Sequence, residues 1–288
     1  MTAIDVQGLS KRMSGFALEQ VSFSVPRGYI TGLIGPNGAG KSTFIKMLMG
    51  MVAPDQGSIT IHGERAGIAG AAYRANIGYV SDENIYYDCL SLGQMKEIFK
   101  SFYPRWDEEI FKEYLDRFEL PVKKKIKDCS KGMKTKFALA LAFSHHPDLL
   151  IMDEPTAGLD PVFRRELLDL LAEFIQDEKR TVLFSTHLTT DLDKVADYIT
   201  FIHRGKLVFS ETKDEILERH LIVKGSKELL DADTRKEFIG LRETDFGFEG
   251  LTADGSRLQS IFGSSALYHQ PTLEDIMYYT AKGGKAYA

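Results

Sequence analysis

An α/β fold with an inserted helical region and a small C-terminal α/β appendage is predicted, on three observations. Short apolar or alternating runs at 21–25, 30–34, 77–80, 149–152 and 181–185 are separated by stretches of helical periodicity, the pattern of a sheet covered by helices. Between 92 and 146 the strand-like runs stop and apolar residues recur at helical spacing. Beyond about residue 220 the chain becomes glycine-punctuated and less periodic. A chain of 288 residues suffices for one large domain with a small appendage.

Taken in order, Val-Ser-Phe-Ser-Val at 21–25 alternates as a half-buried strand does, and the apolar run 30–34 ends at Gly35 with a helix expected from Lys41 to near Gly50. Pro54-Asp55-Gln56-Gly57 has turn chemistry before the alternating run 58–62, and 77–80 reads as a further strand. In the helical region, Met95, Ile98, Phe99 and Phe102 mark one apolar face and Ile110, Phe111, Tyr114, Leu115 and Phe118 another. The runs 149–152 and 181–185 read as buried parallel strands, with an amphipathic helix over 164–176 between them. In the last segment 221–223 begins a strand. Residues 272–280 read as a closing helix capped by Thr272 with Asp275, its apolar stripe being Leu273, Ile276 and Met277.

Composition narrows the function. With 36 basic and 41 acidic side chains the formal net charge is −5, so no overall field draws the chain to nucleic acid or anionic lipid. Cys89 and Cys129 stand apart, in no arrangement that suggests zinc or redox chemistry, and a reducing compartment is expected. The first eight residues have no basic flank followed by an apolar core, so no signal peptide is expected. The apolar run 137–143 falls well short of the roughly 18–20 residues of a spanning helix, so the chain is not expected to cross a membrane alone.

Gly35-Pro36-Asn37-Gly38-Ala39-Gly40-Lys41-Ser42, followed by Thr43, satisfies G-x-x-x-x-G-K-[ST] between a strand and a helix. Glycines let backbone N–H groups wrap around phosphates at the positive end of a helix. Lys41 is placed to reach the β and γ phosphates of ATP, and the Ser42 hydroxyl to ligate Mg2+. The run 149–152 delivers Asp153-Glu154 at its C-terminal end, where ligands bind in open α/β sheets. Asp153 is expected to hold the metal, and Glu154 to orient and deprotonate the attacking water.

Cys129-Ser130-Lys131-Gly132-Met133 precedes a helix and resembles the signature of the ABC ATPases. Pro155-Thr156-Ala157-Gly158-Leu159-Asp160 resembles the D-loop of that family, and Ser185-Thr186-His187 its switch histidine. With the phosphate loop and Asp153-Glu154, five elements stand in the family's order over residues 9 to about 215. The resemblance implies a P-loop NTPase core, a RecA-like sheet plus an antiparallel β subdomain, over 1–220. It places the helical subdomain at about 88–146 and leaves 221–288 as the appended segment. It also implies head-to-tail pairing of two ATPase subunits, as a homodimer or heterodimer. Ser130 and Gly132 would then face the partner's phosphate loop, Asp160 would line the seam, and His187 would bond the γ-phosphate.

The variant Ser-Lys-Gly-Met resembles export-type bacterial ABC ATPases whose integral-membrane permease is a separate chain. The implied location is the cytoplasmic face of the cell membrane, with no nucleic acid as partner. A soluble ABC ATPase acting on a nucleic-acid or ribosomal machine is the alternative. It would normally carry two cassettes or a long heptad insertion, and neither is seen. A module that binds nucleotide without turnover is disfavoured because Lys41 and Glu154 are both present.

The chain also departs from the family pattern. Where a glutamine normally follows the strand 77–80, Ser81 is followed by Asp82 and Glu83, and Asp82 is expected to serve as the metal ligand in its place. Lys131 stands for the first glycine of the signature and Met133 for its glutamine. Met13 and Phe16 compete for the aromatic position against adenine, and Phe16 is preferred. The lysines at 123, 124, 125, 127, 131, 134 and 136 read as a solvated basic face, and His145-His146 as a helix end without metal-spaced companions.

Overall fold

The computed structural model describes residues 1–67, 72–83 and 86–283. Three sheets organise them. The first is antiparallel, formed by β1 (Thr2–Met13), β2 (Phe16–Pro26), β4 (Gln56–Ile61) and β5 (Glu64–Arg65) in the order β2-β1-β4-β5. The second contains β3 (Ile30–Ile34), β6 (Ile77–Val80), β7 (Leu149–Asp153), β8 (Thr181–Thr186), β9 (Tyr198–His203) and β10 (Lys206–Thr212), in the order β10-β9-β3-β8-β7-β6. Its strands are parallel except β10, which pairs antiparallel at the edge. Strands β3, β7 and β8 are buried at every position, which is why they read as unbroken apolar runs rather than alternating ones.

Helix α1 (Lys41–Leu48) follows β3 after the loop 35–40. The helical region holds α2 (Leu92–Lys100), α3 (Glu108–Arg117) and α4 (Lys131–Phe143). Their starts are written in the sequence. Ser91 and Gln94 form a capping box on α2, Asp107 accepts from Glu109 and Ile110 amides on α3, and Ser130 Oγ accepts from the Met133 amide on α4. His145 and His146 lie just beyond α4. The buried His145 ring stacks on Tyr103 at 3.9 Å and places its nitrogens 3.1 Å from Leu141 O and 3.0 Å from Ile77 O, tying the end of α4 to β6.

After β7 come α5 (Pro161–Phe174), α6 (Thr189–Val195) and α7 (Lys213–Arg219). Two apolar clusters flank the parallel sheet. One lies between it and the first sheet with Phe44, Leu48, Ile4 and Val25, and the other joins it to the helical region through Phe111, Phe137 and Phe184. Arg164 on α5 donates to Asp191 on α6 at 2.6 Å, and the Asp191 side chain is only 2% exposed. Arg164→Ala strands that carboxylate in the interior, so we predict a loss of about 2–3 kcal/mol in a urea unfolding measurement. A change below a few tenths of that would mean that Asp191 finds water or another partner.

The C-terminal segment folds as a third sheet, β11 (Leu221–Gly225), β12 (Gly240–Thr244), β13 (Gly247–Thr252) and β14 (Leu267–His269), in the order β12-β13-β11-β14. Helix α8 (Gly255–Phe262) covers one apolar cluster with Val223, Phe238, Phe248 and Leu258. Helix α9 (Leu273–Gly283) begins with Thr272 accepting from the Asp275 amide, as its sequence predicts. Its Leu273, Ile276 and Tyr279 are buried in the cluster shared with the parallel sheet, and it packs on α6.

Candidate functional site

The loop 35–40 turns the chain from β3 into α1 at very close quarters. A β-carbon on Gly35 would stand 2.2 Å from Ile202 O, so no larger residue fits there. Gly40, the residue before α1, holds φ at 113°, and a β-carbon on it would meet Phe16 Cζ at 2.7 Å. Phe16 is thus half-buried against the loop, while Met13 is 47% exposed with its sulfur 4.0 Å from Thr43 Oγ1. Asn37, Gly38 and Ser42 face solvent, whereas Ala39 is buried.

Because β3, β8 and β7 are adjacent and parallel, their C-terminal ends bring three separate motifs to one edge. Lys41 is buried, donates to Gly35 O at 2.7 Å and stands 3.4 Å from Glu154 Oε1. Glu154 Oε2 lies 2.8 Å from His187 Nδ1. A carboxylate only accepts, so Nδ1 carries the proton of that bond. Glu154 itself has φ 50°, a left-handed conformation uncommon outside glycine and a form of backbone strain that concentrates at functional sites.

Asp153 pairs with Ser185 in the β7–β8 register, and Ser185 Oγ donates to Asp153 Oδ1 at 3.0 Å. Burial pushes the Asp153 carboxyl above the ordinary carboxylate range. Hydrogen bonds from Ser42 and Ser185 pull it back in part, and the Glu154 charge pushes it up. The Ser42 hydroxyl therefore lies near enough to the Asp153 carboxylate to favour its charged form. That oxygen donor set fits magnesium, which takes one or two protein ligands and fills its octahedron with phosphate oxygens and water. The role of Ser185 was not legible in the sequence, although its register opposite Asp153 follows once both runs are paired as neighbouring strands.

Other predicted residues lie outside this cluster. Ser130 opens α4, and a β-carbon on Gly132 would have no neighbour nearer than 3.9 Å. Asp160 accepts from the Val162 and Phe163 amides, both at 3.0 Å, and so caps α5. The Phe163 amide draws its carboxyl below the usual range. Asp82, expected as a metal ligand, has its Oδ1 2.7 Å from Lys131 Nζ in the nucleotide-free chain. The basic face also has internal partners, with Lys134 paired to Asp88 at 3.6 Å and Lys136 standing 4.5 Å over the Phe163 ring.

A family model described as "ABC transporter" matches residues 18–157. The chain is 30% identical to the ABC transporter ATP-binding protein YtrB of Bacillus subtilis (strain 168), over 76% of this chain and 75% of that one. The chain belongs to the ABC transporter family. It is 32% identical to the Nod factor export ATP-binding protein I of Rhizobium sp. (strain N33), over 76% of this chain and 74% of that one. A solved structure of an ATP-binding subunit of an ABC transporter superposes with a TM-score of 0.67 at 32% identity, covering 75% of this chain and 92% of that one. As an ABC ATPase subunit, this chain binds ATP and is an ATPase. Among the described residues no helix is long and apolar enough to cross a membrane.

Proposed function

We propose that this ABC ATPase energises export through a separate integral-membrane permease at the cytoplasmic membrane face, by ATP-driven pairing with a second ATPase subunit. The carrying observation is the convergence of Lys41, Asp153, Glu154 and His187 at one sheet edge while Ser130 and Gly132 stand outside it. A second subunit can bring its own Ser130 to the exposed side of the loop at Asn37 and Gly38.

In this reading Lys41 and the amides of Gly38, Ala39 and Gly40 bind the β and γ phosphates, flanked by Gly35, Asn37 and Thr43, and Phe16 lies against adenine. Magnesium, held by Ser42 and Asp153, supplies charge to offset the phosphates. Glu154 accepts the proton of the attacking water, and its strained backbone aims the carboxylate. His187 bonds the γ-phosphate. With Nδ1–H committed to Glu154, donation from Nε2 requires either the imidazolium or release of Nδ1. Asp160 stands at the subunit seam and keeps the start of α5 in place.

In this proposal the permease docks beside the loop after β6. A groove of 470 Å³ runs beside the loop after β6, lined by Tyr79, Ser81, Glu83, Tyr86, Phe99 and Tyr103. Its largely apolar and aromatic walls, with Lys46 and Glu83 as opposite charges, suit an amphipathic helix. Purification from native membranes should yield an integral-membrane subunit in fixed ratio with this chain. Recovery with ribosomes or DNA, and no membrane subunit, would overturn the transport reading.

Metal binding supplies a sharper test. A carboxylate must be deprotonated to ligate magnesium, so affinity for magnesium in the ATP complex is expected to rise with pH through the elevated Asp153 pKa. Ser185→Ala removes a hydrogen bond that favours the charged form. The acid limb of a magnesium titration should therefore move to higher pH. An unmoved limb would show that Asp153 is not the ligand that titrates.

We also propose that 1–220 forms the ATPase unit, with the helical subdomain at about 88–146, and that 221–288 is an appended unit. Truncation after residue 220 should leave ATP affinity unchanged, since no site residue lies beyond it, while exposing α6 where Leu273, Ile276 and Tyr279 pack. Differential scanning should show a lower thermal midpoint. Lost ATP binding in a truncated chain that remains folded would refute this division.

A further inference from the structure

Asp82 and Lys131, two positions at which the chain departs from the pattern it resembles, lie against each other although 49 residues separate them. Asp82 follows the end of β6, whose Val80 pairs with Met152 on the strand that delivers Asp153. Lys131 is the first residue of α4, directly after Ser130. Its stem also lies along the loop after Glu154, since a β-carbon on Gly158 would stand 3.7 Å from Lys131 Cδ. One side chain thus touches the sheet edge and the Gly158 loop from the start of the helix that carries Ser130.

We infer that the Asp82–Lys131 ion pair is a brace that sets the Ser130 end of α4 against the catalytic edge, making both residues positioning residues for ATP turnover. The inference rests on the proposed role of Ser130. A lysine in the first turn of a helix opposes the positive end of the macrodipole, and a carboxylate beside it removes that penalty. Either residue alone is unfavourable or unpaired, and together they are compatible. The pair is half-exposed, with side-chain exposures of 51% and 43%. Such a pair shifts an equilibrium by only about two- to fivefold and weakens in salt, which suits a contact that biases the position of α4 rather than locking it.

The test is a double-mutant cycle on the full chain with Asp82→Gln, Lys131→Gln and both together, plus the charge swap Asp82→Lys with Lys131→Asp. Two quantities are read at low and high salt: the unfolding equilibrium in urea, and kcat with KM for ATP hydrolysis. Each single variant is expected to lower kcat about two- to fivefold with KM unchanged. The double variant should be no worse than the poorer single one, the swap should restore turnover, and all differences should shrink in about 1 M salt. Additive losses in kcat, or coupling seen in unfolding and absent from kcat, would overturn the positioning role. Absence of coupling in both would overturn the pair itself. A wild-type chain that does not hydrolyse ATP would sink the proposed function and this inference with it, a result told apart from the others by the unfolding cycle, which needs no turnover.

Discussion

Glu154→Gln is expected to bind ATP and hydrolyse it about 100- to 10,000-fold more slowly than wild type. The amide keeps the size of the side chain and can still accept from His187, whose Nδ1 stands 2.8 Å from Glu154 Oε2. It cannot take a proton from water. The metal ligands Ser42 and Asp153 are untouched, so the loss should fall on kcat and leave nucleotide affinity nearly intact. In the nucleotide-free chain Lys41 also loses the carboxylate 3.4 Å from its ammonium, which leaves that cation freer to engage phosphate. Phosphate release at saturating ATP and magnesium measures the first effect. If the proposed ATP-driven pairing holds, gel filtration in ATP should show a dimer of this variant that outlives the wild-type one. Wild-type turnover by this variant would remove Glu154 from the role of base.

Lys41→Ala should abolish hydrolysis and weaken ATP binding by about 10- to 100-fold, the worth of a charge-assisted hydrogen bond to phosphate. The geometry explains why one side chain counts so heavily. Lys41 is 5% exposed and its ammonium is already held at the loop by Gly35 O at 2.7 Å, so little ordering is needed when phosphate arrives. Its removal also leaves Glu154, with a side chain only 12% exposed, without its nearest cation. A fluorescent ATP analogue titrated in parallel with a phosphate-release assay separates lost binding from lost chemistry. Normal turnover would mean that the phosphate loop is not the nucleotide site.

Much of this site is legible in the sequence, and the reason is locality. Gly35 to Ser42 specify a turn and a helix start within eight residues, and such a turn exposes its amides whatever surrounds it. The buried runs that end at Asp153 and lead into His187 were readable because a parallel strand covered on both faces has to be apolar throughout. The Thr272 cap of α9 was readable for the same reason, since it acts on the Asp275 amide three positions away. The glycine-rich region past 220 was readable only as a small α/β unit. Its strand order depends on pairing β11 with both β13 and β14, distant segments whose register no local pattern reveals.

The sequence by itself determined the phosphate loop, the acidic pair at the end of β7, the family resemblance and the alternation of strands and helices. Only the tertiary structure decided what the remaining charged side chains do. Asp82 lies against Lys131, Asp160 caps α5, and Ser185 donates to Asp153. The physical reason is that a backbone turn is chosen by residues a few positions apart, through sterics and hydrogen bonds to near neighbours. A carboxylate at the surface takes whichever cation or amide the fold brings within about 3 Å, and for Asp82 that partner is 49 residues away in the chain.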